Sequence, residues 1–148
     1  MSHQGKPVRR YPATRYQPPP LVDLGSREAR ERLSPAALKA FFNTMTRWKV
    51  RDEDARALLG GVTNGPFYEM KRNPARTLDA DRLTRISYVI GIFKALGVLH
   101  SEPLADAWIQ RPNSNPLFAG LTPLEYMIRG GLPAMQNVRR LLDARRAG

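Results

Sequence analysis

The feature that most constrains this fold is a long run, from about residue 79 to residue 96, in which apolar residues recur at helical spacing. They form one wide stripe made of Leu83, Ile86, Val89, Ile90, Phe93 and Leu96. Such a stripe is typical of a central core helix, because a helix buries its apolar face against other elements. No stretch alternates polar and apolar residues over the length of a strand. The sequence therefore predicts an all-α protein.

Capping residues, prolines and glycines mark the ends of the other helices. A serine, threonine or aspartate before a helix can accept from a free backbone amide, and a proline is tolerated in the first turn. These signals predict helix starts at Ser26, Ser34-Pro35, Asp52 and Ser101-Pro103, and a stop at Gly60-Gly61. We divide the chain into a flexible Pro/Arg-rich segment (1–33), a helix-turn-helix domain joined to a long helix (34–98) and a small helical C-terminal domain (99–148).

The composition limits the kinds of site that the chain can carry. No cysteine is present, and the two histidines, His3 and His100, lie far apart, so we expect no metal site and no bound cofactor. No long apolar run could span a membrane, and no secretory signal is recognisable, so we expect a cytoplasmic protein. The net charge of +11 indicates a polyanionic partner, such as nucleic acid or an acidic protein.

The sequence gives no support for an enzyme. General acid–base chemistry needs paired carboxylates or a positioned histidine. The three consecutive carboxylates at residues 52–54 begin a helix, where the helix dipole already explains them. A phosphate-binding glycine loop after a strand is also missing.

Residues 52–71 have the length of a helix-turn-helix unit. Gly60 allows a sharp turn, Val62 fills the angle between the helices, and Phe67 and Met70 anchor the second helix. In such units the second helix meets base edges while basic residues reach phosphates. The predicted DNA-binding residues are Thr63, Asn64, Tyr68, Lys71 and Arg72. Many helical pairs with a glycine turn never touch DNA, and that alternative stays open.

The C-terminal region contains residues that typically begin and end the two helices of a helical hairpin. Thr122 and Glu125 predict a capping box, and Pro123 falls at the first helical position. Gly130 predicts the end of this helix, and Pro133 the start of the next one. Arginines follow near the end of the second helix, where the dipole favours cations. The hairpin is either a binding surface or a cap on the core.

Three segments in a fixed order resemble the Xre/MbcA/ParS antitoxin family. They are residues 54–60, residues 83–96, and the region from Trp108 to Gly131, which contains Trp108-Ile109-Gln110-Arg111-Pro112-Asn113. The resemblance covers about residues 34–148. It implies an antitoxin of a type II toxin–antitoxin pair, whose C-terminal domain blocks the active site of a RES-domain toxin that consumes NAD or ADP-ribosylates a target. It also implies binding to the operator of its own operon.

From this resemblance we expect a homodimer, formed through the helices around 34–47 and 79–96, within a larger complex with the toxin. The hairpin would dock over the toxin's NAD cleft, and the arginine-rich tail would enter it. The predicted toxin-binding residues are Leu124, Met127, Leu132, Met135, Arg139, Arg140, Arg145, Arg146 and Gly148. The alternative is a stand-alone helix-turn-helix transcriptional regulator, which needs only a dimer interface in this region.

Overall fold

The computed structural model describes residues 23–147 of the chain. Within this range the chain folds into six α-helices, with two short 3₁₀ turns before the last helix and no strand, which confirms the all-α prediction. The helices are α1 (Arg27–Trp48), α2 (Asp52–Leu58), α3 (Asn64–Arg72), α4 (Ala80–Leu99), α5 (Glu102–Ala107) and α6 (Pro123–Ala147). The part of the predicted flexible segment before residue 23, and Gly148, lie outside the described residues.

Helix α4 lies at the centre of the molecule, as its apolar stripe predicts. Leu83, Ile86, Val89 and Leu96 are buried, whereas Ile90 and Phe93 are half-buried at the edges of the stripe. α1 packs along one side of α4 and α6 along another. The buried side chains form one core that includes residues from Leu38 of α1 to Leu142 of α6. This core continues across the domain boundary that the sequence predicts at residue 98.

The prediction that Ser34-Pro35 starts a new helix is wrong. α1 continues through both residues, with Pro35 inside it. Ser34 is fully buried; its hydroxyl donates to the carbonyl of Arg30 at 2.6 Å and accepts from the amide of Leu78 at 2.9 Å. The serine therefore joins α1 to the segment before α4. The helix start predicted at Ser26 is confirmed, since Ser26 is the N-cap of α1. Residues 27–33, which the domain division places in the flexible segment, are therefore the first turns of α1.

Two glycines make the turn between α2 and α3. Gly60 and Gly61 have φ angles of 96° and 90°, a region that L side chains rarely adopt. Val62 is buried at the angle between the helices, and Phe67 and Met70 anchor α3 in the core, as the sequence predicts. The assignment of this pair of helices as a DNA-binding helix-turn-helix stays a prediction.

Arg47 ties the end of α1 to α5. Its guanidinium pairs with Glu102 at 2.8 Å and with Asp106 at 3.0 Å, and it lies 5.4 Å from the centre of the Phe93 ring on α4. The hydrogen bond to Asp106, together with both negative charges, raises the pKa of Arg47 above its ordinary value. Three helices thus meet at one cation.

Replacing Ser34 tests whether its bridge to Leu78 stabilises the fold. We expect Ser34→Ala to lower the free energy of unfolding by about 1–3 kcal/mol, because the buried amide of Leu78 loses its acceptor. Thr46→Ala is the matched control: Thr46 is exposed on the same helix and donates to the carbonyl of Phe42. The control should lower the free energy of unfolding, measured by urea denaturation, by less than about 0.5 kcal/mol. Equal losses for the two variants would remove the special role of Ser34.

Two glycines of α4 test the packing of α4 against α6. A Cβ at Gly91 would collide with the guanidinium of Arg139 on α6, whereas a Cβ at Gly97 meets nothing within 4 Å. Gly97→Ala should therefore stabilise by about 0.5–1 kcal/mol through helix propensity alone. We expect Gly91→Ala to destabilise by about 1 kcal/mol, because Arg139 must leave its half-buried ion pair with Asp143. Urea unfolding measures both values, and a stabilising Gly91→Ala would contradict this packing.

Candidate functional site

Three aromatic rings hold together the segment between α5 and α6. Trp108 and Phe118 lie 5.9 Å apart between ring centroids, and Phe118 and Tyr126 lie 5.4 Å apart, both edge to face. Phe118 is fully buried, and Asn115 caps the 3₁₀ turn that carries it by accepting from the amide of Leu117. Edge-to-face pairs restrict ring orientation. The irregular segment 108–122, which we call the aromatic loop, thus has a defined shape on the surface.

The capping box predicted at the start of α6 is confirmed. The amide of Thr122 donates to the Glu125 carboxylate at 2.9 Å, and the amide of Glu125 donates to the Thr122 hydroxyl at 3.1 Å. The bond from the Thr122 amide, which is the main cause, lowers the pKa of Glu125 below its ordinary value. The carboxylate is therefore ionised at neutral pH, and the cap sets the direction in which α6 begins.

A sharp kink divides α6 into two limbs. Gly131, and not the predicted Gly130, adopts the positive φ, at 66°, and Pro133 follows it. The hydroxyl of Tyr126 accepts from the side-chain amide of Asn137 at 2.9 Å across eleven positions. A straight helix would separate these positions by about 16 Å, which the two side chains could not span. The limbs are therefore bent toward each other, and the hydrogen bond holds the bend.

The predicted apolar toxin-binding residues of α6 lie inside the fold. Leu124, Met127 and Met135 are buried in the core, and Leu132 is half-buried. The same helical stripe that could contact a partner is needed to close the core. The role of these residues in toxin binding stays a prediction.

The predicted arginines divide into two groups. Arg139 pairs with Asp143 at 2.9 Å and lies across Gly91 of α4, and Arg146 lies 3.9 Å from the same carboxylate. Arg140 and Arg145 are exposed and form no hydrogen bond or ion pair with any residue of the range 23–147. The second pair is therefore available to a partner, whereas Arg139 serves the packing of α6.

The exposed side of α6 presents a basic stripe at helical spacing. We define the α6 stripe as Arg129, Pro133, Gln136, Arg140 and Ala144, together with the adjacent Arg145, all of which are exposed. Arg129 belongs to this surface although the sequence assigns it no role. Because the kink at Gly131 lies between Arg129 and Arg140, helical spacing in the sequence could not have revealed it. The stripe can bind by charge and shape, and it carries no group suited to catalysis.

The second predicted surface lies on α3. Thr63, Asn64, Tyr68, Lys71 and Arg72 are all exposed on the same helix or at its start. The structure thus brings the five predicted residues together. The side chain of Thr63 does not cap the helix, although the residue occupies the N-cap position.

Carboxylates occupy part of this α3 surface. Asp52 accepts from the Tyr68 hydroxyl at 2.9 Å and from the Lys71 ammonium at 3.2 Å, and Glu69 pairs with Arg72. The bond from Tyr68, followed by that from Lys71, lowers the pKa of Asp52, so its charge persists at neutral pH. The same bond raises the pKa of Tyr68. The cations that could meet phosphates are therefore partly neutralised within the protein.

Neither surface carries a metal-binding cluster. Among residues 23–147 no three His, Cys, Asp or Glu side chains come together in a way that could hold a metal ion. In the same part of the chain, no helix has the length and apolar character needed to cross a bilayer.

Comparison with known proteins identifies the C-terminal unit. The family model described as the antitoxin Xre/MbcA/ParS C-terminal toxin-binding domain matches residues 95–148. The uncharacterized protein y4oB of Sinorhizobium fredii is 39% identical over 115 residues, which span 77% of this chain and 87% of that protein. No solved structure matches significantly. The matched residues include the aromatic loop, the capping box and the whole α6 stripe. The chain belongs to the Xre/MbcA/ParS antitoxin family.

Proposed function

We propose that this chain is the antitoxin of a type II pair and that it inhibits a RES-domain toxin by covering the toxin's NAD-binding site. The observation that carries the proposal is the match of residues 95–148 to a toxin-binding domain, which coincides with the exposed arginines of the α6 stripe. The chain would act by occupying a surface, since neither candidate site presents a reactive group. Inhibition would then depend on shape and charge complementarity.

The charges of the α6 stripe suggest how the two proteins would meet. Arg140 and Arg145 have no partner within the described residues, so binding would not require breaking an internal ion pair. Arginine pairs well with carboxylates because its planar guanidinium can form two parallel hydrogen bonds. We therefore assign the electrostatic contact with the rim of the toxin cleft to these two residues. Gly148 and the end of the chain would enter the cleft beyond them.

DNA binding is the second part of the proposal. The exposed residues of α3 and the turn at Gly60-Gly61 support a helix-turn-helix that reads operator DNA. A homodimer would present two such helices to paired half-sites. The homodimer would form through the helices around 34–47 and 79–96. A stand-alone regulator would share these features but would not need the α6 stripe.

Charge reversal on the α6 stripe tests the antitoxin role. We expect the double variant Arg140→Glu/Arg145→Glu to bind the protein encoded by the adjacent gene at least about tenfold more weakly, since each lost charge pair is replaced by repulsion. Its inhibition of NAD consumption by that protein should weaken in parallel. Calorimetry and an NAD-loss assay measure the two effects.

The matched control for this experiment is Arg32→Glu/Lys49→Glu, which makes the same charge change at two exposed positions outside the ranges 34–47 and 79–96 that we assign to the homodimer. It should bind and inhibit like the wild type. If both double variants lose affinity equally, overall charge is responsible and the α6 stripe is not the contact. If the wild-type chain binds the adjacent product without inhibiting it, the occlusion proposal fails.

Releasing Lys71 tests the role of α3. We expect Asp52→Asn to bind a labelled duplex from the region upstream of its own gene roughly fivefold more tightly, about 1 kcal/mol, because the variant frees Lys71 and removes a negative charge. The dependence of affinity on salt should steepen by about one unit of slope. Fluorescence anisotropy at several salt concentrations measures both quantities.

Glu28→Gln, which removes an exposed negative charge from α1, is the control and should leave the salt slope almost unchanged. Lys71→Ala should weaken binding in the Asp52→Asn background. Unchanged affinity in all three variants would mean that α3 does not contact the duplex.

A further inference from the structure

A groove of about 280 Å³ lies beside α5, away from the residues assigned so far. Leu104 and Trp108, one helical turn apart, form one wall, and His100 at the end of α4 closes one side. The segment from Arg111 to Ser114 also lines the groove. All of these residues lie within the range 95–148 that matches the toxin-binding domain.

Leu104 is unusually exposed for a large apolar side chain. Half of its surface meets solvent, and among the described residues only Val98 and Tyr68 are comparable large hydrophobic side chains. Exposing a leucine side chain to water is unfavourable relative to burying it. A partner that covers Leu104 would recover this free energy.

The walls of the groove are already in place. The Trp108 ring is half-buried and held against the buried Phe118 by an edge-to-face contact. The backbone after Trp108 turns back, with the amide of Arg111 donating to the Trp108 carbonyl at 3.4 Å. A preformed groove binds with a smaller loss of conformational entropy than a mobile one. Tryptophan and arginine are also the residues most enriched at the centres of protein interfaces.

The charges around the groove define the partner. Glu102 and Asp106, the carboxylates of α5, are both engaged by Arg47. Arg111 lines the groove and is exposed, and its side chain has no partner within residues 23–147. The guanidinium at the edge of the groove therefore favours an apolar side chain that has a carboxylate beside it.

We infer that this groove is a second docking point for the toxin, separate from the α6 stripe, and that it receives an apolar side chain of the toxin while Arg111 pairs with a neighbouring toxin carboxylate. The inference rests on the proposed function, since it takes the toxin as the occupant. The α6 stripe supplies charge at the toxin's cleft, whereas the groove supplies apolar anchoring. The aromatic contacts from Trp108 through Phe118 to Tyr126 connect the wall of the groove to α6.

Two single substitutions in the groove test this inference. Leu104→Asp and Arg111→Glu should each weaken binding of the full chain to the purified protein encoded by the adjacent gene by about tenfold or more in calorimetry. Both positions are exposed, so the thermal unfolding midpoints should stay close to that of the wild type. If Leu104→Asp lowers the midpoint, Arg111→Glu and the milder Leu104→Ala decide the outcome.

Val98→Asp and Arg32→Glu are the matched controls. Val98 is 67% exposed near the end of α4 but does not line the groove, and Arg32 is exposed on α1. Both controls should bind like the wild type. An equal loss from Val98→Asp would assign the effect to negative charge at this end of the molecule and overturn the role of the groove.

The experiment also separates the two proposals. If the wild-type chain does not bind the adjacent product at all, the proposed function fails. If the wild type binds and inhibits while Leu104→Asp and Arg111→Glu bind equally well, only the groove inference fails.

Discussion

The burial of α4 is the constraint on which the rest of the structure depends. Between Ile86 and Leu99 this helix carries a single charged residue, Lys94, so it must be covered on more than one side. α1 and α6 provide most of that cover, and their apolar faces are consumed in doing so. One consequence is that the predicted DNA-reading and toxin-binding halves share a core. Another is that little apolar surface is left for partners, so an exposed large apolar side chain such as Leu104 is a candidate contact.

Sequence patterns predicted the local features well. The capping box of Thr122 and Glu125 and the anchors Phe67 and Met70 follow from spacings of three or four residues, which one helix decides by itself. The predicted helix start at Ser34-Pro35 is wrong, because Ser34 instead accepts a hydrogen bond from the amide of Leu78, which is distant in sequence. The pattern alone could not show that Met127 and Met135 are buried in the core, because an apolar stripe has the same spacing whether it contacts the core or a partner.

The candidate site was predictable in part. The sequence located the basic end of α6, but it could not say which arginines are free, since that depends on the position of Asp143 and on the closeness of Gly91. Arg139 and Arg140 are neighbours in sequence and lie in opposite environments, one packed over α4 and the other in solvent. Leu104 carries no sequence signal, because a lone leucine is ordinary. Arg111 lies in the segment that resembles the antitoxin family, but the resemblance assigned it no role of its own.

The distribution of ion pairs explains how a chain with a net charge of +11 can have two different binding surfaces. On α3 the cations Lys71 and Arg72 have acidic neighbours, so a polyanion must compete with Asp52 and Glu69. Arg140 and Arg145 on α6 have no such competitor among the described residues. Exposed pairs are weak, at about 0–1 kcal/mol each, so the competition on α3 moderates binding without preventing it. The proposed contacts would therefore differ in strength, with a firmer contact to an acidic protein at α6 and a weaker, salt-dependent contact to DNA at α3.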